Sequence, residues 1–444
     1  MERAKLIVKN FGPLKDIEIE VREMVTFIGA QASGKSTLAK LISIFEDDEF
    51  RRNSETTFEI ELKKYNIYSY LNKKTFIEYT NSKNIYPFVL RYSSEKFEKK
   101  TIQNILKIYK GVKNEKLLAQ FNSLEKFKSL TKSSFSFCKR TDSKFNEKIL
   151  DLFPLKSQKD KFKRHKLNQK DNLFFDGNYI DDILVILEKE KSFENYLNLY
   201  EDLIAIFPDI FLYDSIYIPT ERNILQIIFS NVLGLINNDI QIPKYLLNSG
   251  QEYEKAIHAI KELPLNIIGK NFKYKREGKT SFIYHNDNEK VDLLESASGL
   301  QSIIPILLLI EYSKSLKDKY NFNFVVEEPE LNLYPKAQHE LIKYLVKNCL
   351  FDRKNLILTT HSPFVLASIN NLLLAYDKGQ KNPKEVNKII KKESWLNPKN
   401  FIAYELKNGK AKKIMNDKLG QISENMIDGV SDAFANEFDK LLDL

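Results

Sequence analysis

The chain has 444 residues, of which 43% are hydrophobic and 29% charged, and its formal net charge at pH 7 is +9. This length suggests one large domain with an inserted lobe, or two domains. The charged amino terminus excludes a signal peptide, and the apolar runs are too short to cross a membrane. With two cysteines and five scattered histidines, the sequence excludes a disulfide framework and a zinc site, which favours a cytoplasmic location.

The amino-terminal residues predict strands followed by a phosphate-binding loop. Residues 5–8 and 17–21 read as strands on either side of a Gly-Pro turn, and residues 24–28 form an apolar strand. Residues 29–36 read Gly-Ala-Gln-Ala-Ser-Gly-Lys-Ser, a full match to G-x-x-x-x-G-K-[ST]. An amphipathic helix is predicted from residue 35 to about 45. The motif therefore lies between a strand and a helix, as its mechanism requires.

This loop predicts binding of ATP with Mg²⁺. Its glycines allow successive N–H groups to point at phosphate oxygens, and the following helix adds the positive end of its dipole. Lys35 is expected to reach the β- and γ-phosphates, and the Ser36 hydroxyl to ligate Mg²⁺. The loop residues expected to bind the nucleotide are Gly29, Ala32, Ser33, Gly34, Lys35, Ser36 and Thr37.

A basic, mainly helical lobe is predicted after the first strands. Residues 180–206 give its clearest helical pattern, and residues 99–170 contain 20 Lys or Arg against 6 Asp or Glu. Such charge attracts nucleic acid by counterion release, but it is also typical of a solvated lysine-rich surface. The predicted domains are a first ATPase part at residues 1–95, the inserted lobe at 96–210 and a second ATPase part at 211–444.

Beyond the lobe, strands alternate with helices, which predicts an α/β fold with a largely parallel sheet. The expected elements are strands at 215–218, 322–326 and 356–360, hairpins at 272–284 and 401–414, and an apolar helix from 300 to about 312.

Two adjacent carboxylates follow the strand at 322–326. Because α/β sheets bind ligands at the carboxyl ends of their strands, Glu327 and Glu328 should face the phosphate loop. We expect Glu327 to support Mg²⁺ and Glu328 to polarise the attacking water. Outside this context, Glu-Glu-Pro-Glu would more often be a solvated turn.

A histidine follows the next strand in the same way. His361 is expected to donate a hydrogen bond to the γ-phosphate or to hold the nucleophilic water. A lone histidine is usually structural, but its position at the end of a core strand favours a functional role. The expected catalytic residues are therefore Lys35, Glu328 and His361.

The motifs together resemble those of ABC-type ATPases of the RecF and OLD (overcoming lysogenization defect) group. The resemblance is closest to the OLD-like ATPases of bacterial anti-phage systems, the PARIS type among them. It is carried by Lys-Asn-Phe-Gly-Pro-Leu at residues 9–14, the phosphate loop, Glu-Glu-Pro-Glu at 327–330 and Thr-Thr-His-Ser-Pro at 359–363. It implies an ABC-type P-loop sandwich that hydrolyses MgATP at the interface of a head-to-tail dimer.

Two further segments gain a meaning from this resemblance. Residues 295–302 resemble the ABC signature, which implies that Ser298 and Gly299 bind the γ-phosphate held by the opposite subunit. Without the resemblance, the segment is an ordinary helix start with Ser296 or Ser298 as the N-cap. Residues 217–222 resemble a segment of the anti-phage relatives. The resemblance implies that Arg222 lies near the nucleotide. Without it, Arg222 is expected at a strand end in a salt bridge.

The resemblance implies a switch ATPase in anti-phage defence. It would form a homo-oligomer of ABC-type dimers and act with a separately encoded effector such as a nuclease. The residues after 363 contain no Asp-x-Asp pair, so no nuclease centre is expected in this chain. A RecF-like DNA-repair ATPase that clamps DNA through the basic lobe, or a scaffold that binds ATP without turnover, remains an alternative.

Overall fold

The computed structural model describes residues 4–47, 50–51, 56–81, 88–101, 213–228, 242–286, 289–316, 321–350 and 355–443. The chain divides into two compact units, and the larger consists of Met1–Tyr79, Arg91–Phe97 and Tyr213–Leu444. Every residue of the candidate site belongs to this larger unit. Of the predicted lobe, Lys96–Thr101 form a strand, and the remainder, including the basic and helical stretches, lies outside the described residues.

The strands occur along the whole described chain. They are β1 Ala4–Phe11, β2 Leu14–Val21, β3 Met24–Gly29, β4 Phe76–Asn81, β5 Phe88–Ser93, β6 Lys96–Thr101, β7 Tyr213–Ile218, β8 Glu262–Pro264, β9 Phe272–Glu277, β10 Thr280–His285, β11 Glu289–Asp292, β12 Asn321–Glu327, β13 Asn355–Thr360, β14 Phe401–Lys407, β15 Lys410–Lys413, β16 Met415–Asn416 and β17 Gln421–Ile422. The helices are α1 Lys35–Glu46, α2 Phe58–Lys64, α3 Lys244–Ala259, α4 Ser298–Ser315, α5 Pro335–Cys349, α6 Pro363–Lys381, α7 Pro383–Ile389 and α8 Met426–Leu442.

One large sheet organises the fold, with the strand order β6-β5-β4-β1-β2-β15-β14-β3-β13-β12-β7. Its centre is parallel: β3 pairs with β14 and β13, and β12 pairs with β13 and β7. Antiparallel pairs, β1 with β2 and β14 with β15, lie beside this centre. A parallel sheet whose strands alternate with helices confirms the predicted α/β P-loop fold. A separate antiparallel sheet contains β11, β10, β9 and β8 in that order.

The apolar runs of the sequence occupy the positions that bury most surface. All residues of β3 and β13 are buried, as expected for central strands covered on both faces. In α4, every residue from Leu300 to Ile310 except Gln301 is buried. Within the described ranges, however, neither α4 nor another helix combines the length and hydrophobicity that a membrane crossing needs.

The register of the parallel strands brings their carboxyl ends to one edge of the sheet. Thr360 aligns with Ile28 just before the phosphate loop, and Thr359 aligns with Glu327. On the other side of β12, Val326 aligns with Ile218. The phosphate loop, the carboxylate pair, His361 and the segment after β7 therefore lie at the same edge, where α/β sheets bind ligands.

Candidate functional site

The loop between β3 and α1 has a backbone that only certain residues can adopt. Gly34 is the N-cap of α1 with a φ of 101°, and a Cβ atom there would overlap Cδ2 of Leu14. At Gly29, a Cβ atom would lie 2.7 Å from the carbonyl oxygen of Leu406. Ala32 also adopts a positive φ of 59°. A backbone that alternates between right- and left-handed conformations before a helix directs several N–H groups to one side, where they can bind an anion.

Lys35 lies buried at the start of α1. Its Nζ donates hydrogen bonds to the carbonyl oxygens of Gly29 at 2.8 Å and Ala30 at 3.0 Å. Burial lowers the pKa of Lys35, and the carboxylates of Glu328, Glu330 and Glu327 oppose this shift. The ammonium is therefore held inside the loop that would surround a phosphate group.

Glu327 is the last residue of β12, and its side chain is buried. Among the described residues, its Oε1 has no donor in regular hydrogen-bond geometry, although the Tyr217 hydroxyl lies close to the carboxylate. Burial raises the pKa of Glu327, while the nearby Ser36 hydroxyl and Lys40 ammonium oppose the rise. A buried carboxylate whose hydrogen bonding is incomplete is unfavourable unless a cation binds it. The pair of Ser36 and Glu327 thus fits Mg²⁺, which prefers oxygen ligands.

Glu328 starts a sharp turn directly after β12. Its φ is 42°, and its N–H donates to the carbonyl oxygen of Thr359 at 2.9 Å. The Glu328 side chain is half-buried, and its Oε1 lies 3.6 Å from Nδ1 of His361. Glu328 and His361 form an accessible acid–imidazole pair beside the buried Glu327.

Glu330 has a positioning role that the sequence does not reveal. Its Oε1 accepts hydrogen bonds from Thr360 Oγ1 at 2.6 Å and from the His361 N–H at 3.0 Å. Ser362 then caps α6, because its hydroxyl accepts from the N–H of Phe364. The main chain on both sides of His361 is therefore fixed, while its imidazole remains exposed.

Arg222 holds the main chain of the carboxylate pair. The residue is fully buried in the short 3-10 helix Thr220–Ile224 after β7. Its guanidinium donates to the carbonyl oxygens of Ser302 (2.9 Å), Pro219 (3.1 Å), Glu327 (2.8 Å) and Glu328 (2.8 Å). The acceptors are carbonyls, so the salt-bridged alternative for Arg222 is wrong. One side chain instead connects the end of β12 to α4.

Charged side chains of both signs lie at this edge. Burial lowers the pKa of Arg222 to about 10, and the carboxylates of Glu330, Glu328 and Glu327 oppose this shift. With this pKa Arg222 stays charged at neutral pH, and it faces the same three carboxylates as Lys35. Several carboxylate oxygens therefore lie next to the phosphate loop, where they could ligate a cation.

The signature-like segment forms the exposed start of α4. The N-cap is Ala297 without a side-chain hydrogen bond, while the Ser296 hydroxyl donates to the carbonyl oxygen of Leu293 at 2.7 Å. The prediction that Ser296 or Ser298 caps this helix is therefore wrong. Ser298 is already the first helical residue and is exposed to solvent.

Gly299 packs closely against the loop that follows the carboxylate pair. A Cβ atom at this position would lie 2.6 Å from the carbonyl oxygen of Asn332. Asn332 in turn donates from Nδ2 to the Ser302 hydroxyl at 3.2 Å. The first turn of α4 and the loop after Glu330 are thus joined, and a glycine is needed where they touch.

Comparison with protein families identifies the class of this chain. The sequence matches the model of the AAA ATPase domain over residues 1–366. No significant match is found among curated proteins.

Among solved structures, the chain is similar to the SMC head domain bound to the C-terminal domain of ScpA from Pyrococcus furiosus. Their identity is 11% and the TM-score 0.35, with 93% of this chain and 96% of that chain covered. The SMC head domain from Thermotoga maritima gives 10% identity and a TM-score of 0.35, with 93% and 98% covered. Similarity this low carries no argument about partners or assembly. The family match covers most of the 444 residues and includes the phosphate loop, the carboxylate pair and His361, so the chain belongs to the AAA ATPase domain family.

Proposed function

We propose that this protein is an ABC-type ATPase that binds MgATP and hydrolyses it at the interface of a head-to-tail dimer. The observation that carries the proposal is the meeting of three features at one sheet edge. These are the Lys35 loop, the buried Oε1 of Glu327, and the Glu328–His361 pair at 3.6 Å. Together they would provide phosphate binding, cation binding and a base for water.

Each side chain would have a separate task in hydrolysis. Lys35 would exchange its two carbonyl partners for phosphate oxygens, and Ser36 with Glu327 would hold the cation. Mg²⁺ would neutralise charge that develops on the phosphates. Glu328 would accept the proton of the attacking water, and His361 would orient that water or donate to the γ-phosphate.

The start of α4 supports the head-to-tail arrangement. Its N-terminal N–H groups have no side-chain cap, and Ser298 is exposed, so this helix end is available to an anion. In the proposed dimer, the α4 start of one subunit faces the phosphate loop of the other. Ser298 and Gly299 would bind the γ-phosphate there.

Mixing two inactive variants tests this arrangement directly. Lys35→Ala breaks the phosphate loop, and Ser298→Arg blocks the start of α4. In a symmetric dimer each site takes one part from each subunit, so a mixed dimer contains one intact site. We expect the mixture to recover about one quarter of the wild-type rate, because about half of the dimers are mixed and each has one working site. No recovery would contradict a site shared between subunits.

The role of Glu328 is tested by Glu328→Gln. We expect hydrolysis to fall by at least about 100-fold while ATP affinity is retained, because the amide cannot accept the proton. Glu340→Gln, a substitution of the same kind on α5 where Glu340 contacts Lys343, is the control. Equal rates for wild type and Glu328→Gln would instead favour a scaffold that binds ATP without turnover.

We further propose that the ATPase cycle is a switch in anti-phage defence. ATP would close the dimer, hydrolysis would open it, and a separately encoded effector, for example a nuclease, would respond. The support is the resemblance of the motifs at residues 9–14, 327–330 and 359–363 to OLD-like ATPases. We expect the protein to form a stable complex with the product of a neighbouring gene. This complex should dissociate more readily in the presence of ATP. Loss of phage protection in Lys35→Ala cells would agree, whereas full protection would contradict the proposal.

A RecF-like DNA clamp is the second candidate, favoured by the excess of 20 basic over 6 acidic residues between positions 99 and 170. This function predicts that duplex DNA stimulates hydrolysis and that the effect weakens steeply with salt. Hydrolysis that is unchanged by DNA at low salt would remove this candidate.

A further inference from the structure

The helix α8 has an apolar face that no other described residue covers. The helix begins with a capping box between Asn425 and Asp428, and the Met426 N–H donates to Glu405 at 2.7 Å. From residue 429 onward every described residue is exposed. Four large side chains, Val430, Phe434, Phe438 and Leu441, are between 49% and 66% exposed. A contiguous apolar surface of this kind normally marks an interface.

Five apolar side chains of α8 occupy one face of the helix, and Met426 and Leu442 flank it. We call this face the α8 stripe, which consists of Ile427, Val430, Phe434, Phe438 and Leu441. Spacings of three and four residues place all five on the same side. The acidic residues Asp428, Asp432, Asp439 and Asp443 lie on the opposite side at helical spacing. A partner that covers the stripe must therefore be apolar itself, since the acidic charges point away from it.

The spacing within the stripe is symmetric about Phe434. Val430 and Phe438 lie four residues to either side, and Ile427 and Leu441 lie seven residues to either side. When two such helices pair antiparallel around a two-fold axis at Phe434, every stripe residue meets one from the other copy. Ile427 lies opposite Leu441, Val430 opposite Phe438, and Phe434 opposite itself. We propose that the occupant of the α8 stripe is the α8 stripe of a second copy of this chain.

Size and charge favour this pairing. The ten side chains of two stripes would bury about 1,000 Å², which is at the lower end of specific interfaces. Acidic residues of both helices would remain on the outside, so that like charges do not meet in the contact. Glu437 lies at the edge of the stripe, where Lys440 three residues later provides a neighbouring opposite charge.

The α8 pairing goes beyond the proposed ATPase, because it needs no nucleotide. In an ABC-type dimer the subunits meet through the phosphate loop and the start of α4, whereas α8 is a separate element at the end of the chain. A chain with two different two-fold interfaces can join ATP-dependent dimers into a larger assembly. The α8 contact would persist when hydrolysis opens the other interface.

Sedimentation equilibrium of the full chain without nucleotide tests the pairing. We expect wild-type protein at tens of micromolar to have twice the mass of the Phe434→Ser/Phe438→Ser variant. Asp432→Ser/Asp439→Ser, which changes the opposite face of the same helix, is the matched control and should keep the wild-type mass. A monomeric wild type, or a stripe variant with unchanged mass, would overturn the proposal.

Cysteine cross-linking tests the antiparallel geometry. In a Cys138→Ser background, with Cys349 buried, Ile427→Cys mixed with Leu441→Cys should give a cross-linked dimer. Each variant alone should cross-link poorly, because its two thiols would lie at opposite ends of the paired helices. Efficient cross-linking of Ile427→Cys alone would contradict the antiparallel arrangement. Glu328→Gln should leave both results unchanged, so a failure of the ATPase proposal would not be mistaken for a failure of this one.

Discussion

Nη2 of Arg222 donates a 2.8 Å hydrogen bond to the carbonyl oxygen of Glu328, the residue proposed to activate water. The same guanidinium binds the carbonyl oxygen of Glu327. Arg222 therefore contacts neither reacting group, yet it sets the positions of both carboxylates through their main chain. It is a positioning residue for the proposed reaction.

Arg222→Lys should separate this positioning role from binding. Lysine keeps a positive charge but cannot reach four carbonyls, so buried acceptors lose their donors. We expect unfolding free energy to fall by about 2–4 kcal/mol and kcat by about 10- to 100-fold. KM for ATP should change less than about threefold, because the phosphate loop is intact. Denaturant unfolding and steady-state kinetics measure these quantities.

Arg22→Lys provides the matched control for Arg222→Lys. The Arg22 guanidinium also donates to main-chain carbonyls, those of Pro398 and Phe401, but at the opposite end of β3 from the phosphate loop. This control should lose some stability and keep its kcat. A similar kcat loss in both variants would show that Arg222 acts only through general stability.

His361→Ala should lower kcat with little effect on stability. The imidazole is exposed, and Glu330 fixes the neighbouring main chain without it. We expect kcat to fall about 10- to 100-fold, and the unfolding free energy to change by less than about 0.5 kcal/mol. His258→Ala, at an exposed position on α3, serves as the control. Wild-type kcat in His361→Ala would remove the histidine from the mechanism.

Two helical glycines should respond to alanine in opposite directions. At Gly299 the new methyl group meets the Asn332 carbonyl oxygen at 2.6 Å, whereas nothing lies within 4 Å at Gly250. Gly299→Ala should therefore destabilise the protein by about 1–3 kcal/mol, and Gly250→Ala should stabilise α3 by about 0.5–1 kcal/mol. Thermal unfolding measures both. Unchanged stability in Gly299→Ala would mean that this glycine matters only for the nucleotide.

Glu327→Gln should change how stability depends on pH. Because burial raises the pKa of Glu327 in the folded protein, the folded state holds this proton more tightly than the unfolded state. Wild-type stability should therefore fall as pH rises from the ordinary carboxyl pKa through the raised one. The glutamine variant does not lose stability in this way. Without nucleotide, the difference between its Tm and that of the wild type should therefore grow between these two pKa values and stay constant at higher pH.

At pH values above the raised pKa, addition of MgATP should make the Tm of the wild type higher than that of Glu327→Gln. The wild type gains stability from the bound cation, and Glu327→Gln gains little. Glu295→Gln, at an exposed position, should follow the wild type throughout. A Tm difference that does not vary with pH would contradict the raised pKa of the buried Glu327 carboxylate.

The features predicted well from the sequence are those whose signal is local. The phosphate loop, the apolar strands β3, β12 and β13, and the turn of adjacent carboxylates each occupy one short segment. The parallel register then follows from the fold class. For this reason Lys35, Glu327 and His361 could be assigned to one edge before the structure was known.

Features that depend on distant segments were not predicted correctly. The Arg222 acceptors come from the segment after β7, from α4 and from the end of β12, so no short pattern reveals them. The one signal in the sequence for the role of Arg222 was its position shortly after a strand end and a proline. The prediction of the residue that caps α4 was wrong for a different reason. Ser298 adopts helical geometry, so Ala297 takes the N-cap position. The spacing of four and seven residues around Phe434 was present in the sequence and could have revealed α8.

The two hydrogen bonds from Lys35 to its own loop have a consequence for ligand selection. A molecule that enters the loop must compete with two carbonyl dipoles already in contact with the ammonium. Only a ligand with concentrated negative charge can do so at a net gain, since a neutral group offers nothing better than the carbonyls. Adenosine would leave that internal contact in place, whereas a polyphosphate chain would displace it. Discrimination among nucleotides would thus begin with their charge, before the base is recognised.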